Sequence, residues 1–113
     1  DVHVHMNYGG NYRNTPKHLI QQAAAEDLHF VFNLIVNKEQ RIPDVGYFTN
    51  IAEKSGEVTL LHGQEFHTSY WGHLGLLNLQ EHLILPDYSG YPQTAVSSLF
   101  PNNRYIADLT HAQ

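Results

Sequence analysis

The chain has 113 residues, suited to one domain, with a net charge of −5, 42% hydrophobic residues and 15% charged ones, a balance that favours a folded chain over a disordered one. Only six residues are Lys or Arg and they form no basic run, which disfavours a nucleic-acid partner. There is no cysteine, so disulfides, zinc ribbons, iron–sulfur clusters and cysteine nucleophiles are excluded, and no apolar run approaches the ~20 residues of a membrane span.

The elements follow in chain order. Asp1 to His5 alternates and reads as the end of a first strand, followed by a loop from Met6 to Asn14. Thr15-Pro16 has the form of an N-cap with proline in the first helical turn, and Leu19, Ile20, Ala23, Ala24 and Leu28 recur at helical spacing, so a helix is expected from about Pro16 to Asp27. Phe30 to Val36, apolar except for Asn33, reads as a buried strand. Pro43 is expected to open a second helix with Val45, Phe48 and Ala52 on one face and Gly56 as its terminator. Val58 to Phe66 is the next strand, Gly72 to Leu79 a further one, and His82 to Leu85 another short one. Asn103 to Ala112 forms a last helix with Tyr105, Ile106 and Leu109 as its apolar stripe. The alternation implies βα units and a largely parallel sheet.

Nine histidines are the compositional outlier. Residues two apart on a strand share a face, so His3 and His5 present two imidazoles together, half of a metal site; a solvent-facing pair is the plain alternative. Glu65 and His67 share a strand face in the same way, next to Phe66. A carboxylate at the end of an apolar run needs a compensating cation, which a divalent ion or Arg13 or Arg41 would supply. His73 opens the following strand and adds a nitrogen, while His67 is an extra ligand or a proton shuttle. His18 and His29 are expected at the surface, His62 under a covering helix, His82 in a turn, and His111 at the surface or behind the site. Tyr70 and Trp71 are placed to shape a pocket wall. No serine-nucleophile elbow, Walker loop or dinucleotide fingerprint appears, and Gly9-Gly10 is turn chemistry.

Asp1-x-His3-x-His5, then Gly63-x-Glu65, then Gly72-His73-Leu74 resembles the signature of the polymerase and histidinol phosphatase (PHP) superfamily, nearest its CehA/McbA-type metal-dependent hydrolases. The resemblance covers nearly all of the chain and implies the N-terminal portion of such a domain, with the later ligands of the family beyond Gln113. It implies an α/β fold, a partial distorted βα-barrel related to the TIM barrel, with mainly parallel strands. It also implies His3 and His5 on a first metal, Glu65 bridging and His73 on a second, with one or two zinc or manganese ions activating water against a phosphoester, ester or carbamate. Where the family has Thr-Asp-His, this chain reads Leu34-Ile35-Val36-Asn37, so a third-metal ligand is missing. The expected partners are a small-molecule substrate and, through exposed sheet edges, further copies of the chain. The compartment stays open, with the cytoplasm favoured. The second reading is a non-catalytic metal-binding relative with a structural, self-associating role.

Overall fold

A computed structural model of the chain describes residues 1–8, 13–37, 42, 44–85 and 98–113. In order the elements are α1 (Pro16–Ala25), β1 (Phe30–Val36), a single 3-10 turn (Val45–Tyr47), β2 (Glu53–Ser55), β3 (Val58–His67), β4 (His73–Leu76) and α2 (Asn103–His111). Thr15 caps α1 as expected, its hydroxyl accepting the His18 amide. Asn102 does the same for α2 through the Tyr105 amide.

β3 is the spine of the sheet. β1 runs parallel to it from Phe30↔Thr59 to Val36↔Glu65, while β2 and β4 run antiparallel along its other edge, β2 beside its start and β4 beside its end. Outside β1, Val4 forms a parallel bridge with Asn33. The expected βα-barrel with mainly parallel strands is therefore overturned: the sheet is mixed and open, and two α-helices occur among the described residues. The physical reason lies in the turns. A parallel neighbour needs a crossover, usually a helix, whereas Gly56 at φ +58 and Gly72 at φ +86 close tight reversals that lay β2 and β4 antiparallel against β3.

The helix expected after Pro43 is likewise absent over the described residues; Pro43 itself and Gly9-Gly10 lie outside them. Val45 and Ala52 are exposed, so their spacing has no core to face, and Gly46, Thr49 and Asn50 are poor helix formers. Gly56 ends no helix; it is the β2–β3 turn. The expected strand Gly72–Leu79 is shorter, His73–Leu76, with Asn78 at φ 57 turning the chain away. His82–Leu85 is not a strand. The Gln64 amide holds it in place, donating to the Leu83 carbonyl (3.0 Å) and accepting from its N–H (2.9 Å).

The core occupies one sheet face in two clusters. Met6, Leu19, Ala23, Val31, Val58 and Leu60 lie under α1, and Phe66, Leu76, Leu79 and Ile106 lie under α2. Of the stripe expected on α2 only Ile106 is buried; Tyr105 is exposed, its ring 4.7 Å from that of Phe100. Buried Asn33, His62 and Gln64 share this face by strand alternation. The opposite face carries Leu34, Val36, Gly63, Glu65, His67, His73 and Gly75 by the same alternation and register. No helix among the described residues is long and apolar enough to cross a membrane.

Candidate metal centre

Strand parity builds the site. Val4 turns into the core beside β1, held by its N–H to Phe32 O (3.1 Å) and its carbonyl from Leu34 N (2.7 Å), so His3 and His5 emerge on the opposite face. Glu65 and His67 come to that face from β3, and His73 joins them because it is the register partner of His67 on β4. The five side chains expected from sequence are thus brought together: His3, His5 and Glu65 form one group and Glu65, His67 and His73 a second, each with its donor atoms within 4.8 Å.

In the first group, His5 Nε2 lies 2.7 Å from Glu65 Oε2, and His3 Nε2 lies 3.4 Å from that oxygen and 3.1 Å from His5 Nε2. In the second, His73 Nδ1 is 3.0 Å from Oε1 and His67 Nε2 3.2 Å from Oε2. A tetrahedral ion with ~2.1 Å bonds spaces its donors about 3.4 Å apart, so both groups sit close to ligating separation. One carboxylate serves both, with Oε2 toward His3, His5 and His67 and Oε1 toward His73.

Hydrogen bonds outside the cluster fix its parts. His5 Nδ1 lies 2.7 Å from Leu34 O. A carbonyl only accepts, so Nδ1 carries the proton and Nε2 turns its lone pair to Glu65. Asn37, fully buried, clasps His67 from both sides, accepting its N–H (2.8 Å) and donating to its carbonyl (3.0 Å). The His67 ring lies flat on that of His73, with centroids 3.6 Å apart and planes 3° from parallel.

Electrostatics follow from burial and crowding. Glu65 is 6% exposed; burial works against its charge, but the imidazoles of His67, His5 and His3 outweigh it and hold the carboxyl below its usual range. Burial pushes the His67 imidazole down, partly opposed by Glu65. Although His67 Nε2 is 3.2 Å from Oε2, it lies off the hydrogen-bond direction and has no hydrogen-bond partner. A buried, unsatisfied nitrogen beside a carboxylate that other imidazoles also face fits the role of a metal ligand. Nitrogen and carboxylate donors with no thiolate suit zinc or manganese. Of the alternative partners for Glu65, Arg13 lends positive charge to Asp44, and Arg41 lies outside the described residues.

The remaining histidines sort by position. His18, His29 and His111 are exposed. His62 is buried on the other sheet face. His82 lies edge-on to Phe48 at 5.6 Å, where burial pushes its pKa down to about 4. Trp71, in the β3–β4 turn beside His73, is tied by its indole N–H to Leu99 O (2.8 Å). Two contributors escape a sequence reading. Asn37 is one, and Tyr8 the other: its ring is 5.1 Å from that of His5 and 6.5 Å from that of His67, spanning both groups. An Asn closing a buried strand is the only sequence signal for the first; a Tyr in a glycine-rich loop gives none for the second.

No family model matches the chain, and neither does any curated protein or solved structure.

Proposed function

We propose that this cluster holds one or two divalent ions, zinc or manganese, and that the chain belongs to a metal-dependent hydrolase acting on a small-molecule phosphoester, ester or carbamate. The observation that carries the reading is His5 Nε2 facing Glu65 Oε2 at 2.7 Å with the His5 proton committed to Leu34 O. Two lone-pair atoms at that distance repel unless a cation lies between them. A proton would serve one such contact, but Oε2 has the nitrogens of His3, His5 and His67 within 3.4 Å, and crowded imidazoliums oppose one another's charge. A divalent ion compensates several donors together. The motif's resemblance to the PHP superfamily supports the same reading; the barrel does not enter it.

When bound, ions of this kind activate water as a nucleophile at neutral pH. The chain's own part is orientation and proton handling. His5 and His67 are locked by Leu34 and Asn37, and Glu65 bridges the two groups. His67, favoured in its neutral form by burial, offers Nε2 either to an ion as an extra ligand or to a proton. The half-exposed His3 and His73 mark the side from which substrate enters.

The test is hydrolysis of p-nitrophenyl phosphate, p-nitrophenyl acetate and an aryl carbamate by zinc- or manganese-loaded protein and its Glu65→Gln variant. Turnover of one class is expected, removed by a chelator and lowered in the variant by at least the roughly 10–100-fold that loss of an outer partner costs. Turnover of none by loaded protein, or equal turnover by the variant, would refute the enzyme. Tight uptake without turnover would support the structural, metal-binding reading.

A further inference from the structure

We infer that Asn33 is a positioning residue for the metal centre, acting from the opposite face of the sheet through its side-chain oxygen on the Met6 N–H, with its amide oriented by hydrogen bonds that run through His62 to Glu53. The inference rests on the metal reading above and extends it to residues that touch no ion.

Asn33 is fully buried and is the one amide in a strand of Phe, Val, Leu and Ile. A buried amide without partners is costly, so its presence needs an explanation in hydrogen bonds. Its Oδ1 accepts the Met6 N–H at 2.9 Å. That fixes the amide's orientation and aims Nδ2 at His62 Nδ1, 3.2 Å away. An amide nitrogen only donates, so His62 Nδ1 accepts and its proton sits on Nε2. Nε2 lies 3.4 Å from Glu53 Oε1 and donates to it. The chain crosses the sheet from the His-x-His segment through β1 and β3 to β2. Every donor points the same way, toward an anion, an arrangement in which each bond polarises the next.

The consequence falls on His5. Its predecessor Val4 is pinned to the strand position of Asn33 by the parallel bridge, and its successor Met6 is pinned to the Asn33 side chain. Its ring is held by the carbonyl of the next residue in β1, Leu34. Without the Asn33 amide, one of the two main-chain anchors flanking the ligand is released. His67 and His73 are held by Asn37 and by the β3–β4 ladder, which do not involve Asn33. The two halves of the site therefore respond differently to the same substitution.

The test is zinc titration of wild type, Asn33→Leu and Asn33→Asp, followed by calorimetry and by the imidazole NMR signals of each half-site. Asn33→Leu is expected to weaken the His3–His5–Glu65 half by roughly 10–100-fold, as for loss of an outer-shell partner, and to leave the His67–His73 half near wild type. Asn33→Asp keeps the acceptor for Met6 and is expected to restore the first half. The fold alone would not separate the halves or be rescued in this way. Equal zinc binding by Asn33→Leu and wild type, equal loss by Asp and Leu, or equal loss in both halves would overturn the inference. Should Asn33→Leu not fold, the wild-type protein decides through its tautomers at alkaline pH. A proton on Nδ1 of His5 and on Nε2 of His62 supports the chain, and the reverse at either ring overturns it. Wild type that takes up no zinc defeats the metal reading itself; wild type that binds while Asn33→Leu binds equally defeats only the role of Asn33.

Discussion

Replacing Gly63 by alanine probes how tightly the sheet and the site are joined. Gly63 lies on the metal face of β3, and a Cβ there would stand 2.5 Å from the Leu76 carbonyl oxygen and 2.9 Å from Leu34 Cδ2. The leucine side chain can rotate away, but the carbonyl belongs to β4 and cannot. Restoring an ordinary carbon–oxygen separation of about 3.3 Å requires β4 to withdraw by about 0.8 Å. Strain of this kind costs roughly 1–3 kcal/mol, or on the order of 5–20 °C in Tm for a domain of this size. Because β4 carries His73, its 3.0 Å contact with Glu65 Oε1 should open and the second half of the site should weaken, while His3 and His5, on the far side of β1, keep their places. Gly75→Ala is the matched control: its Cβ would meet only Leu34 Cδ1 at 3.7 Å, an ordinary contact, and should change stability by less than about 0.5 kcal/mol. Urea unfolding followed by circular dichroism, paired with zinc titration, reads both effects. A Gly63→Ala protein as stable as wild type, with both halves intact, would refute this coupling of strand spacing to ligand geometry.

Asn37→Leu leaves the buried N–H and carbonyl of His67 unpaired, and at ~1–3 kcal/mol for each orphaned group it should cost about 2–6 kcal/mol in urea unfolding; a change below about 1 kcal/mol would contradict the clasp. Acid should destabilise the fold through His82, whose imidazole stays neutral in the native state down to about 4 but protonates in the unfolded chain near 6.5. Between those values the unfolded state binds the extra proton, so stability falls as pH drops, by about 1.4 kcal/mol per pH unit and about 3 kcal/mol over the window. His67 adds to the fall below 6.5 in the same sense, and Glu65, held below its ordinary 4.5, loses its contribution only at more acid pH. His82→Phe should flatten the His82 share in denaturant melts across this range; an unchanged slope would show that His82 is not the group responsible.

Period-two alternation made the site legible from sequence. His3 with His5, and Glu65 with His67, share faces on extended segments whatever the strand order. The Thr15-Pro16 start of α1 was legible for a similar reason, since capping and a fixed proline φ are local properties. Non-local choices were not. Gly56 at positive φ fits a helix stop and a hairpin equally, and only the pairing of Glu53 with Leu60 settles which it is. The barrel expectation failed there, because the residues before Gly56, expected to end a helix, form β2 and reverse tightly into β3 instead. Asn33 looked like an interruption in an apolar strand, and Asn37 stood only where a third-metal ligand was missing, since a buried amide reveals its role only through partners distant in sequence.

The central claim is that Glu65 joins two groups of imidazoles around divalent metal. Elemental analysis of wild type and Glu65→Ala, after exposure to zinc or manganese and removal of free ion, addresses it most directly. The account expects at least one ion per wild-type chain and none in the variant, because both groups share that carboxylate. Metal-free wild type, or equal metal content in the two proteins, would contradict it.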